Sequence, residues 1–294
     1  MKKLVKHTKE FLEYILFLVF LNIIKLLGIN IASDLCGAIA KHIGPRLRTN
    51  KIIINNIKYV YNNLSTEQIN ELGKEIWNNF GRYIGEFPFV SEETSRIKIE
   101  NIEIIRDLQK KNTPFIVFSG HFANWDFILP AVLKEIEHTS VVYRKINNRF
   151  IDKFVMKKRA EQGTQLICKG PEGIKDLIKT IKTRNTILML VDQKMNEGIS
   201  IPFLKKPAKT SESIAVIARN YNYPLIPAQI IRTKGANFRV IFYEPFYVNK
   251  SHNKDKDIYE AMLKINDLLS TWVNENPSQW FWMHQRWGKP KEML

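Results

Sequence analysis

Between residues 118 and 127 the chain reads FSGHFANWDF, which sets a histidine, His121, and a carboxylate, Asp126, among aromatics. Such residues offer general-base chemistry: the carboxylate takes the imidazole Nδ1–H, and the free Nε2 takes a proton from a hydroxyl. On one unbroken helix their spacing would turn the two side chains about 140° apart, and they could not meet. The pair therefore needs His121 in a loop after a strand and Asp126 in the first turn of a helix beginning near Ala123 or Asn124. The run FIVF followed by Ser119-Gly120 supplies a strand and a turn, and a helical pattern starts at Asn124. A histidine merely solvated near a helix start is the competing reading.

Three further groups can join that chemistry. Arg144 ends the strand-like run SVVYRK and would bring a fixed cation to the same sheet edge, for a phosphate or a developing oxyanion. Its alternative is a surface ion pair. Asp192 and Gln193 end another such run, TILMLVDQ, where Asp192 could equally pair with Arg144 or a lysine in a structural role. Thr210 reads as the cap of the helix after it. Trp280, Trp282, His284, Arg286 and Trp287 suit either a membrane interface or packing against a sheet. Cys36 and Cys168 form no ligand motif, and the histidines are scattered, so no metal and no cofactor is expected and a reducing compartment is natural.

The elements that must position these residues read as α/β. Strands are predicted at 114–120, 140–145, 164–169 and 186–193, with helices at 124–137, 148–162 and 171–183 between them. Continuous apolar strands alternating with such helices indicate βαβ units and a mostly parallel central sheet flanked by helices. PLIPAQIIR and NFRVIFYEP follow as two strands, a hairpin near an edge, and residues 256–275 as a last helix. Upstream, Ser65 and Gln68 make a capping-box signature at the head of another helix. With no repeat and no linker, the expectation is a single α/β domain over 36–294 behind an amino-terminal helix over 1–35.

That amino-terminal segment carries one charge, Lys25, between Tyr14 and Ser33, and twenty residues of helix span about 30 Å, a bilayer's thickness. A membrane anchor is expected, ahead of a buried core helix or a signal peptide. Lysines precede it, and Lys41, Arg46, Arg48 and Lys51 follow it, so both flanks are drawn to the cytoplasm; this favours a shallow, interfacial placement. The chain's net charge of +16 fits an anionic leaflet. Without recognition motifs or stacking arrays, nucleic acid is not the expected partner.

SGHFANWD resembles the His-to-acid block of the lipid A biosynthesis acyltransferases. In the same order, VVYRKINN resembles that family's Tyr-Arg block, RAEQG its Arg-to-Gly segment, LMLVDQK its Asp-Gln strand end, IPFLKKPAKTSES its proline loop and WFWMHQRW its aromatic tail. The likeness runs from about residue 110 to residue 287. It implies a glycerol-phosphate-acyltransferase-like fold and acyl transfer from an acyl-carrier-protein thioester to a hydroxyl of a lipid A precursor, without a cofactor. It also implies His121 as base, Asp126 as its orienting acid, and Asn124, Arg144, Arg159, Asp192 and Gln193 as substrate-binding residues. The place it implies is the cytoplasmic face of the bacterial inner membrane, with acidic acyl carrier protein steered by the basic surface.

Three departures bear on specificity: Ala123 stands where the family has glycine, Asp126 is shorter than the commoner glutamate, and Lys205-Lys206 replace Phe-Gly. The rival readings are a glycerol-phosphate or other glycolipid O-acyltransferase and a non-catalytic lipid-binding membrane protein.

Overall fold

The computed structural model describes residues 2–136, 139–161 and 163–288. The chain opens on α1 (Lys2–Ile43), which is longer than its apolar core and kinks at Gly28, where φ is 71°. It continues past residue 35 to pack on the domain, followed by α2 (Asn50–Val60) and α3 (Thr66–Glu86). The capping box forms in full: the Gln68 N–H donates to Ser65 Oγ and the Ser65 N–H to Gln68 Oε1. Helices α1 and α3 lie backbone to backbone because Gly81 and Gly85 carry no Cβ, which would otherwise fall 2.2 and 2.4 Å from the Cys36 and Ala32 carbonyl oxygens.

Next come β1 (Ile97–Glu100) and α4 (Glu103–Lys110), and after them strands and helices alternate as foreseen: β2 (Ile116–Ser119), α5 (Ile128–Leu133), β3 (Thr139–Tyr143), α6 (Arg149–Ala160), β4 (Gln165–Cys168), α7 (Ile174–Lys182) and β5 (Thr186–Leu190). Then come β6 (Lys194–Phe203), β7 (Lys206–Thr210), α8 (Ser213–Tyr221), β8 (Leu225–Arg232), β9 (Phe238–Phe242) and α9 (Lys254–Glu275). The central sheet runs β1-β9-β8-β2-β5-β3-β4, parallel at every pairing except β8–β9. Its middle strand β2 is wholly buried, which is why its sequence is continuously apolar rather than alternating.

Two local readings are corrected. The helix foreseen over 124–137 is a 3-10 turn at Trp125–Phe127 followed by the short α5; residue 137 lies outside the described residues. Pro130 is tolerated only in a helix's first turn, so an α-helix cannot reach back to Asn124. Thr210 caps nothing: it ends β7, accepts a hydrogen bond from Arg286 Nη2 at 2.7 Å, and Glu212 occupies the cap position of α8. The Lys205 region is the tip of the β6–β7 hairpin, with Leu204 and Lys205 both left-handed as a two-residue turn of matching twist requires. The hairpin of β8 and β9 lies one strand in from the edge, which β1 occupies.

Candidate active site

Parallel register brings the polar groups together. Ser119 of β2 pairs with Leu190 of β5, so residues just beyond the two strands emerge side by side at the carboxyl edge, where open α/β sheets hold ligands. These residues are His121 and Asp192. The Asp192 carboxylate accepts the His121 ring Nδ1–H at 2.6 Å on one oxygen and the His121 backbone N–H at 2.8 Å on the other. The second oxygen also accepts the Trp280 indole N–H at 2.8 Å. Gly120 makes room, since a Cβ there would come 2.6 Å from the Phe122 ring and 3.1 Å from Asp192 Oδ2. Burial pushes the Asp192 carboxyl up, but the charge and hydrogen bonds of His121 outweigh it and hold the group well below the usual carboxylate range. Asp192 is a buried, ionised acceptor.

Asp126 faces elsewhere. Its Oδ1 accepts Arg159 Nη2 at 2.6 Å and its Oδ2 the Tyr83 hydroxyl at 3.0 Å. The strand does stop before His121 and the helical turn does start after it, but the short turn aims Asp126 at the Arg159 cation of α6. The pair of His121 with Asp126 suggested by spacing is therefore not formed; His121 pairs with Asp192. The Asp126 charge pushes Arg159 up, while burial and then Asp126 push the Tyr83 phenol well up, so Tyr83 stays a neutral hydroxyl beside the Arg159–Asp126 pair.

The other side of the imidazole faces the cavity. Gln193 Nε2 stands 3.3 Å from His121 Nε2, a contact that suits an unprotonated Nε2 accepting an amide N–H. The rings of Trp125 and Phe281 flank the imidazole, with centroids 4.9 and 6.1 Å away. Arg144 lines the same cavity from the end of β3, exposed, beside Lys169 from the end of β4. Asn124 is buried behind the loop, where its amide donates to Glu86 Oε2 at 3.0 Å. Glu86 also accepts from Ser33 at 2.6 Å and pairs with Arg232, so Asn124 ties the histidine loop to α1, α3 and β8.

The aromatic tail resolves in favour of packing: Trp280, Trp282, Arg286 and Trp287 are all buried. It also clamps the histidine loop, with Ala123 N–H on the Gln279 carbonyl at 2.7 Å and Phe281 N–H on the His121 carbonyl at 2.9 Å. Held this way, Ala123 adopts φ 47°, which explains why glycine is the easier residue there. Burial lowers His284 to about 4, so the tail presents it to Asp192 as a neutral ring. Sequence reasoning missed Asp192 as the partner of His121 and Trp280 as a donor to Asp192, and it missed Tyr83 and Glu86 altogether. The matching strand-end blocks VFSGH and LVDQK held the signal for Asp192, because adjacent parallel strands set their ends level.

From the imidazole a cavity of about 740 Å³ runs inward, within the size range of small-molecule sites. His121, Arg144, Lys169, Gln193 and Ser213 are polar members of its lining; Leu129, Val141, Ile167, Leu177, Leu188 and Ile217 are apolar ones. Asp126 and Arg159 sit in its wall, and Phe17, Phe20 and Leu21 of α1 close another side.

The profile of the bacterial lipid A biosynthesis acyltransferases matches residues 1–289. The chain belongs to that family. No curated protein matches the sequence. Membership makes the protein an acyltransferase of lipid A synthesis. The blocks that carry the resemblance meet around the site: HFANWD, YR, DQ and the aromatic tail all contribute contacts to the loop, the cavity or the Asp192 carboxylate.

Proposed function

We propose that the protein transfers a fatty acyl chain from an acyl-carrier-protein thioester to a hydroxyl of a lipid A precursor, at the cytoplasmic face of the bacterial inner membrane. The observation that carries this reading is the His121–Asp192 hydrogen bond at the polar side of an apolar cavity. Asp192 fixes the tautomer that leaves His121 Nε2 as a lone pair toward the cavity, and it stabilises the imidazolium once formed. The acceptor hydroxyl gives its proton to Nε2 as its oxygen attacks the thioester carbonyl carbon. The C–S bond then breaks with its electron pair going to sulfur, and the imidazolium returns the proton to the thiolate.

Gln193 gives up its contact with Nε2 to the incoming hydroxyl, and its amide N–H then lies beside the reacting carbonyl. Arg144 supplies a cation for the developing oxyanion or for a phosphate of the acceptor. Asp126 acts through Arg159 and Tyr83, holding α6 as cavity wall. An excess of Lys and Arg over Asp and Glu, 45 against 29, suits docking of an acidic carrier protein.

The test is product formation by purified protein from acyl carrier protein and lipid A precursor, read by mass spectrometry, with glycerol 3-phosphate as the competing acceptor. His121→Ala should lose roughly 10²–10⁴ of the rate with the fold intact. Near-normal turnover by that variant, or preference for glycerol 3-phosphate, overturns the reading.

A further inference from the structure

Helix α1 is long and apolar enough to cross a membrane, yet it is tied to the same domain at both ends. Near its start, Asn148 at the head of α6 donates to the Glu10 carbonyl at 2.8 Å and to Glu13 Oε2 at 2.9 Å, and Arg149 pairs with Glu10 at 3.4 Å. Tyr14 stacks on Phe150 and Phe17 meets Phe154 edge-on. Beyond the kink, Ser33 donates to Glu86 at 2.6 Å, Asp34 pairs with Arg82 at 2.6 Å, and Lys41 pairs with Glu75. From Glu10 to Asp34 is about 36 Å of helix at 1.5 Å per residue, more than the roughly 30 Å of a bilayer's hydrocarbon core. If α1 crossed that core, α6 with Asn148, Arg149 and Asp152 would have to enter it alongside, at a prohibitive desolvation cost.

The outward face tells what covers it. Leu12, Leu16, Val19, Ile23 and Leu26 follow one another at three- to four-residue spacing and stand exposed, Leu16 by 70% and Leu26 by 88%. The stripe resumes after the kink at Ile31, Leu35, Ile39 and Ile43, so it runs the length of the helix. Exposed cations bracket it: Lys6 and Lys9 at the start, Arg46, Arg48 and Lys51 at the end. An apolar stripe between cations fits an anionic lipid surface rather than a protein groove. The inward face of the same turns, Phe17, Phe20 and Leu21, lines the catalytic cavity.

We propose that α1 lies in the plane of the interface, its stripe sunk into one leaflet of an anionic bilayer, as a docking face one helix thick between lipid and the acyl cavity. This inference does not depend on which residue is the base. Two measurements test it. In a Cys36→Ser, Cys168→Ser background, single cysteines at Lys6→Cys on α1 and Lys254→Cys on α9 are exposed to an impermeant maleimide in intact and in lysed spheroplasts. In-plane placement gives the two positions the same pattern; one labelled in intact spheroplasts and the other only after lysis means a spanning helix and overturns the proposal.

The second measurement is co-sedimentation with phosphatidylcholine vesicles with and without phosphatidylglycerol. Leu16→Asp and Leu26→Asp should each lower vesicle partitioning roughly tenfold or more, as loss of a leucine-sized apolar contact does. Melting temperature and activity on detergent-dispersed substrate should hold in both variants, since neither leucine touches the cavity. Partitioning equal to the parent protein, or binding indifferent to phosphatidylglycerol, contradicts the docking face as drawn.

Discussion

Replacing Asp192 with asparagine separates the two carboxylates that the site offers. Asp192 accepts three donors: the His121 backbone N–H, the His121 ring N–H and the Trp280 indole N–H. Asparagine has one acceptor oxygen and an amide that donates. If its oxygen keeps the backbone and indole donors, its NH2 faces the imidazole Nδ1 and forces the proton onto Nε2. The lone pair proposed to take the acceptor's proton is then gone from the cavity side, and no anion remains to stabilise an imidazolium. In a serine-protease triad the same change costs about 10⁴ in kcat, so a loss of about 10³–10⁴, or roughly 4–5.5 kcal/mol of barrier, is expected here.

The assay is kcat at saturating acyl donor, with a melting curve to show that the fold holds. Asp126→Asn leaves the His121 contacts untouched and instead strips Arg159 of its partner, a half-buried pair whose loss costs about 1–3 kcal/mol of stability. Its kcat should fall much less than that of Asp192→Asn. If Asp192→Asn stays within tenfold of the parent while Asp126→Asn is dead, the reasoning is refuted and Asp126 is the orienting acid after all.

Other outcomes follow from the same contacts. Ala123→Gly relieves a left-handed alanine and should raise the unfolding free energy by up to about 1 kcal/mol, seen as a higher urea midpoint with an unchanged m-value. Glu86→Gln leaves Arg232, the Asn124 amide and the Ser33 hydroxyl around a neutral group, and unfolding free energy should drop by roughly 3–5 kcal/mol. His284, lowered from 6.5 to about 4, takes up its proton more readily in the unfolded chain. Its contribution to stability is therefore complete above pH 6.5 and is lost as pH falls toward 4, by at most about 3 kcal/mol. A His284→Gln variant should flatten that part of the stability–pH curve. An isosteric benzothienyl-alanine at Trp280 removes only the indole N–H; it should lower kcat about tenfold and leave the KM for acyl donor unchanged.

Much of this architecture is legible in the sequence, because apolar runs at 114–120, 140–145, 164–169 and 186–193 admit few other readings. The strand β1 escaped notice because IKIE is four residues of alternating charge, too short to stand out from a loop. The β6–β7 hairpin escaped because its turn is made by Leu204 and Lys205 rather than by Asn-Gly. At the site, spacing located the histidine loop and failed on its partner. A five-residue local interval gave Asp126, whereas the acid that reaches His121 is seventy-one positions away and is delivered by strand register. Asn124 and Trp280 illustrate the same limit: their duties depend on Glu86 and Asp192, which only the fold places beside them.

The most direct measurement is a structure of the full-length protein with a non-hydrolysable acyl-phosphopantetheine thioether bound. The account predicts the acyl chain inside the cavity between α1, β5 and α8, with the thioether carbon beside His121 Nε2 and the His121–Asp192 hydrogen bond kept. A chain lying outside the cavity, or His121 turned from Asp192 toward Asp126, would contradict it.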